Sequence, residues 1–316
     1  IFIVLGFVIF LISNRVDELR VYQGATVAVY VVGIASIILL TGYSGQVSLG
    51  QGALLGVGGY AAALARLHWG VSVPVSFAIA ILAAAAAGAL LGVAAARLSG
   101  PYLAGTTLAL AVGLPSIANQ FTFLGGEQGL FYDVGFPPAS LGEDFTQYKW
   151  FFWIASFIAL LALFITSNIL QSRYGRTWRA IRSSPLAAEL SGINSSRMKI
   201  LAFIISSALA GLAGAVMAMT ISLVAPGAYT LTLSFALVTG AVLAGVSSLP
   251  GVVFGALILV AIPEVADVVA TRFGGGENLN NYLPTLIVSV LLILSVIFTP
   301  NGPGEKLRRR HHKKKI

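Results

Sequence analysis

Ten apolar runs, most of them close to the length of a membrane-crossing helix, divide this chain of 316 residues. They lie at about Ile1–Ile12, Val21–Leu40, Val47–Arg66, Pro74–Ala96, Tyr102–Phe121, Trp150–Leu170, Lys199–Leu223, Leu231–Ser247, Val252–Ala270 and Leu283–Phe298. About 20 apolar helical residues cross the hydrocarbon core of a bilayer. The runs are continuous where barrel strands would alternate, so they read as helices. Only 9% of residues are charged, against roughly 25% in soluble domains. A soluble globule of this length could not cover its own surface. That excludes a cytosolic enzyme, an extracellular disulfide scaffold and a disordered chain. The expected fold class is an all-α polytopic membrane protein, a single transmembrane domain over 1–316 with about ten spans. The short run Ile1–Ile12 is expected to belong to a first span. It lacks the basic stretch and small-residue cleavage site of a signal peptide.

Charge orients these spans. Of 19 basic residues, six fall in 173–199 and seven in 306–315. Such clusters beside apolar spans mark the cytoplasmic side. On that basis 173–199 is a cytoplasmic loop, 304–316 a basic cytoplasmic tail, and both chain ends are inside. Counting spans then puts 122–149 outside. That loop holds Glu127, Asp133, Glu143 and Asp144 against the single Lys149. A basic tail can also bind nucleic acid, but contact with membrane lipid already accounts for the charge, and no nucleic-acid partner is expected.

The chemistry the spans lack is equally informative. With no cysteine, and only His68, His311 and His312, no disulfide, thiolate nucleophile or metal site is expected. Ion-coupled carriers place Asp, Glu or His near the membrane midplane, and these spans are almost free of them. Glu264 and Asp267, near the outer end of one span, are either an interhelical polar contact or a coupling pair. No phosphate-binding loop with Lys-Ser or Lys-Thr is present; Gly56-Val57-Gly58-Gly59 lies inside a span. Nor do the spans hold paired carboxylates or an activated nucleophile. The chain is therefore expected to be no enzyme, to hold no cofactor, and to draw its energy from elsewhere. Glycines four apart (Gly52 and Gly56, Gly88 and Gly92, Gly251 and Gly255) let helix backbones approach closely, for static packing or for sliding.

Two segments stand out. In 41–60, Thr41, Tyr43, Ser44, Gln46, Ser48 and Gln51 are polar and uncharged, interleaved with Gly42, Gly45, Gly50 and Gly52. Irregular backbone at membrane depth is tolerated only inside protein or beside a water-filled cavity. Gly45, Gln46, Ser48 and Gln51 are therefore candidates for a translocation path; the alternative is a polar loop at the cytoplasmic face. Thr106 and Thr107 are further candidates, unless they bond their own helix backbone. In 173–199, Ser184 suits an N-cap, Pro185 a first helical position and Gly192 a left-handed C-terminal residue. Trp178 and Ile181 share a face, while Arg176, Arg179 and Arg182 spread charge around it. A turn as short as 186–190 is marginal alone. Either it docks on a partner, with Ala187 and Ala188 at closest approach and Glu189 in polar contact, or it is a solvated connection.

This second segment resembles a known family: the LivM-like inner-membrane permease subunits of ABC importers for branched-chain amino acids. Gly175, Arg176, Arg179, Ala180, Ile181, Arg182, Ala187, Ala188, Glu189, Gly192 and Ile193 match the family's cytoplasmic loop. The resemblance extends to 41–60, to Gly125, Gly126 and Gly129, and to 240–264. Gln51 stands where many members have His, and Leu124 where Thr is common. The resemblance implies an ABC importer permease fold in the cell inner membrane and import of branched-chain amino acids or a similar small polar solute. It also implies partners: two cytoplasmic ATP-binding subunits docked on the loop, a second homologous permease, and a periplasmic or lipid-anchored substrate-binding protein. The rival reading is a self-contained facilitator or channel for a small neutral solute such as urea.

The charge asymmetry predicts that a cysteine placed at Asn194 in this cysteine-free chain reacts with an impermeant thiol reagent only from the cytoplasmic side. Labelling from outside intact cells would overturn the orientation.

Overall fold

The computed structural model describes residues 16–98, 100–138 and 145–272, with isolated positions (6, 283, 286, 287, 289–291, 293 and 294) outside those stretches. The runs Ile1–Ile12 and Leu283–Phe298 fall largely outside the described residues, and the 304–316 tail wholly so.

Helix α1 (Glu18–Ile37) runs on into a π-helical turn, Ile38–Tyr43. Then follow α2 (Gln51–Trp69), α3 (Val73–Arg97), α4 (Pro101–Gln120), α5 (Gln147–Gln171), α6 (Arg173–Ser183), α7 (Pro185–Leu190), α8 (Ser195–Ile221), α9 (Leu231–Ala244) and α10 (Val252–Arg272). Strand β1 (Leu130–Phe131) pairs antiparallel with β2 (Leu223–Val224). Among the described residues, seven helical stretches are long and apolar enough to cross a membrane. Helix α2 is not one of them, because Gln51, Arg66 and His68 lower its hydropathy, yet it runs the same way through the bundle. The ten expected spans are thus an approximate count.

Contacts sort the helix ends into two groups. At one end Trp178 of α6 reaches Met198 at the start of α8, Gln46 reaches Lys199, and Arg182 reaches Gly42 and Ser247. With five arginines and Lys199 in 173–199, this is the basic end. At the opposite end His68 stacks on Phe123, Arg66 stands over Tyr132, and the Ser76 and Tyr132 hydroxyls share a 2.6 Å hydrogen bond. Tyr22 and Tyr148 also meet there edge to face, as do β1 and β2. The 173–199 loop and the described part of 122–149 thus lie at opposite ends of the bundle.

Glycine sets the packing. Antiparallel α3 and α8 meet at Gly88 against Ser207 and at Gly92 against Ile200, while Gly211 faces Ala84. Parallel α2 and α8 meet backbone to backbone: a β-carbon on Gly58 would overlap Gly211, and one on Gly214 would overlap the Leu55 carbonyl. Gly52 and Gly56 press on Ser234 and Tyr229, and Gly251 and Gly255 on the carbonyls of Ala244 and Gly240. All six glycines singled out by their spacing therefore sit at close approaches. Without a hydrophobic drive between helices in lipid, such contact supplies the dispersion and packing that hold them together.

Two breaks interrupt the bundle. After the π turn, 44–50 climbs without helix from the basic end to Gln51. On the other side, 225–230 runs from β2, through the single turn Pro226–Ala228, to the start of α9. Helix α9 starts deep in the bundle, beside Gly52, and stops at Ala244 because Gly245 takes φ +86°. The first turns of α2 and α9 meet, with the Gly52 N–H donating to Ser234 Oγ at 3.0 Å.

Over-filling a packed core costs about 1–3 kcal/mol. Gly214→Val should therefore lower the thermal stability of the isolated chain in detergent. Gly105→Ala, with no atom within 4 Å of the added carbon, should leave it unchanged or raise it. Equal stability of the two variants would contradict the packing described.

Candidate functional site

The basic end carries a built loop. A β-carbon on Gly175 would overlap the Leu170 carbonyl, so the chain turns tightly from α5 into α6. Ser172 caps α6, its Oγ accepting from the Tyr174 N–H at 3.2 Å. Trp178 is fully buried and donates its indole N–H to the Met198 carbonyl at 2.9 Å; Ile181 is buried beside it. Ala180, Arg176, Arg179 and Arg182 lie on the exposed side. Arg179 stands over the Tyr43 ring at 5.7 Å.

Helix α7 has both expected ends. Ser184 Oγ accepts from the Ala187 N–H at 3.3 Å, and Pro185 opens the helix. Gly192 takes φ +81°, its N–H donates to the Glu189 carbonyl at 2.9 Å, and the Ile193 N–H donates to the Ala188 carbonyl at 3.1 Å. That pair of reversed bonds is a Schellman motif, which brings the residue after the glycine against the third-last helical residue. Here those are Ile193 and Ala188, so Ala188 turns inward and is only 4% exposed. This corrects one expectation: Ala188 is not free to approach a partner. The outward residues are Ala187, Glu189 and, above all, Leu186 and Leu190, 69% and 82% exposed. Their four-residue spacing held that signal, but two leucines on so short a helix read equally well as its inner face. Beside them Glu189, Gly192, Ile193, Asn194, Ser195 and Ser196 line an open depression of about 400 Å³.

The neutral polar set lies mostly within the protein. Gln46, Ser48, Gln51 and Thr107 are all buried. The Gln46 amide donates to Ser44 Oγ at 2.6 Å and to the Lys199 carbonyl at 3.3 Å. Ser48 Oγ accepts from the Gly50 N–H, and the Leu49 N–H donates to Thr107 Oγ1 at 3.0 Å. Gln51 donates to Ser206 Oγ at 2.8 Å, which passes the chain of bonds on to the Ser36 carbonyl. Thr106 and Thr107 do bond their own helix, at Tyr102 and at Leu103 and Ala104. In this conformation the set fastens 44–52 to α1, α4, α8 and α9. The Oε1 atoms of Gln46 and Gln51 are the two acceptors in it with no partner. Gly45, at φ +74°, lies under the Arg182 side chain and so joins the polar set to the loop.

Elsewhere, Glu264 accepts from the Gln23 amide of α1, an interhelical contact; the Asp267 side chain lies outside the described residues. Burial pushes the Tyr132 phenol up, partly offset by the Ser76 hydrogen bond and by Arg66. Among the described residues no cluster of His, Asp or Glu could hold a metal ion.

A bundle of spanning helices with a capped loop projecting from its basic end, and buried neutral polar groups at its breaks, has the makings of a transporter's membrane subunit. The family model described as "Branched-chain amino acid transport system / permease component" matches residues 4–296, and the chain belongs to that family. It is 28% identical over 296 residues to the high-affinity branched-chain amino acid transport system permease protein LivM of Escherichia coli, covering 87% of this chain and 67% of that one. It is 31% identical over 193 residues to the LivH permease protein of the corresponding system in Salmonella typhimurium, covering 60% of this chain and 54% of that one. Among solved structures, PsaBC from Streptococcus pneumoniae in complex with Fab is a distant likeness, 15% identical over 93% of this chain at TM-score 0.45. The chain is accordingly a multi-pass inner-membrane permease, a transport subunit and not an enzyme.

Gly192→Val forces a β-branched residue into the left-handed region, at a cost of order 1–2 kcal/mol for the conformation alone. It should unravel the end of α7 and speed limited proteolysis between 184 and 194, with the spans left intact. Unchanged proteolysis would mean that the motif does not hold the loop.

Proposed function

We propose that this chain is the membrane-embedded permease of an ATP-driven importer, moving branched-chain amino acids or a similar small polar solute inward. The observation that carries the reading is α7. It is capped at both ends, anchored from behind by Trp178 and Ala188, and presents Leu186 and Leu190 to solvent. Exposed leucines on a preformed turn lose little freedom on binding. A cytoplasmic ATP-binding subunit covers them, with Glu189 and the adjoining depression receiving a polar side chain from it. A second such subunit docks on a homologous permease, and a substrate-binding protein delivers solute at the opposite end. The excess of arginine in 173–199 supports the basic end as the cytoplasmic one.

The solute class rests on the relatives' names and on the character of the buried set. Neutral amides and hydroxyls suit brief contacts with a zwitterion, and the unused acceptor of Gln51 suits an ammonium group. A self-contained facilitator would leave α7 without an occupant.

Leu190→Asp removes exposed apolar surface without touching the chain's own core. It should lower co-purification of the ATP-binding subunits at least tenfold while membrane abundance stays normal. Full retention of those subunits would overturn the docking assignment.

A further inference from the structure

Arg182 stands where three separate stretches of the chain come together. It lies in the last turn of α6. One guanidinium nitrogen donates to the Gly42 carbonyl in the π turn, and to Ser247 Oγ, at 3.2 Å, in the connection between α9 and α10. Its methylene stem covers Gly45: a β-carbon there would come within 2.8 Å of Cγ. Gly42 and the α9–α10 connection also touch directly, since a β-carbon on Gly42 would overlap the Val246 carbonyl. Charge-assisted bonds of this kind are stronger and shorter than neutral ones.

The far ends of the same two stretches meet as well. From Gly42 the chain passes through 44–50 to Gly52, whose N–H donates to Ser234 Oγ in the first turn of α9. From Ser234, α9 returns to Ala244 and so to Ser247. The contacts therefore close a ring: Arg182 to Gly42, along 42–52, across to Ser234, back along α9 to Ser247, and to Arg182 again. Helix α9 is the stiff side of this ring. The segment 44–50 is its compliant side, non-helical and with Gly45 and Gly50 within it. The Trp178 indole hydrogen bond fastens α6 to the start of α8. Among the described arginines of α6, Arg182 is the one whose guanidinium reaches both the π turn before 44–50 and the α9–α10 connection.

We infer that Arg182 is a positioning residue for transport. It couples movement of the docking helices α6 and α7 to the irregular stretch 42–50 and to the α9–α10 connection, so that displacing the loop shifts 44–50 and the end of α9 together. This rests on the importer reading above. Arg182 acts through the backbone it holds and need not touch the solute.

The test uses the complete transporter, with Ser48→Cys as a reporter in the cysteine-free permease. In the complex carrying this reporter alone, thiol labelling at position 48 should differ between nucleotide-free and ATP-trapped states. Arg182→Gln should keep the ATP-binding subunits bound. It should abolish the labelling difference and lower the solute moved per ATP hydrolysed about tenfold. Arg182→Lys should restore part of that ratio, and Ser247→Ala should lower it by less. A merely structural arginine would alter abundance without altering the ratio or the labelling. If Arg182→Gln lowers abundance, Arg182→Lys and Ser247→Ala decide: a normal ratio and normal labelling in both overturn the inference. Loss of the ATP-binding subunits from Arg182→Gln also overturns it, because Arg182 would then belong to the docking surface. Absence of ATP-dependent transport by the unmodified complex would instead be a failure of the importer reading, visible before any variant is compared.

Discussion

Backbone amides inside a membrane must find partners within the protein, and this single requirement organises the structure around 44–50 and 225–230. Each unsatisfied group in hydrocarbon costs several kcal/mol. The non-helical 44–50, and 225–230 with its single turn Pro226–Ala228, are therefore tolerated only where other helices enclose them. The bonds around 44–50 are specific: the Leu49 N–H to Thr107, and, in the first turn of α2 that follows, the Gly52 N–H to Ser234 and the side-chain relay from Gln51 through Ser206 to Ser36. Each joins this segment, or the helix start just after it, to a different helix. The glycine contacts follow from the same need, since only close helices can reach across with side chains as short as Ser and Thr.

These bonds are neutral and individually modest, about 0.5–1.5 kcal/mol each net. Under the proposed function, that strength would let a set of them be exchanged for contacts with a solute, which buried ion pairs would resist. The proposed docking of ATP-binding subunits would give such an exchange its handle in the arginine-rich α6 and the capped α7. They rest on the π turn and on the start of α8, close to where the irregular segment begins.

Much of this was legible in the sequence. Long apolar runs gave the spans, and Ser184, Pro185 and Gly192 gave both ends of α7, because capping depends on a few residues in fixed local order. The glycine pairs marked close approaches, because nothing else tolerates a backbone at that distance. Start points were less legible. The run beginning at Val47 enters helix only at Gln51, since Gly50 and the contacts to Thr107 and Ser234 are tertiary. The run beginning at Lys199 is helical from Ser195, since Asn194 supplies a cap that hydropathy does not register. The direction of Ala188 was not legible either. It depends on the Schellman turn folding Ile193 back onto it, and composition alone made two small residues look equivalent. Arg182 read as one charge among several; only the fold brings Gly42, Gly45 and Ser247 to it.

The central claim is that this permease is driven by ATP hydrolysed in subunits bound at its basic end. The most direct measurement is solute accumulation in sealed vesicles holding the complete transporter, with its binding protein on the outside and ATP or a non-hydrolysable analogue within. The account predicts uptake above the external concentration with ATP, and none above equilibration with the analogue. Equilibration that proceeds at the same rate with either nucleotide, or with the permease alone, would contradict it and make the chain a facilitator.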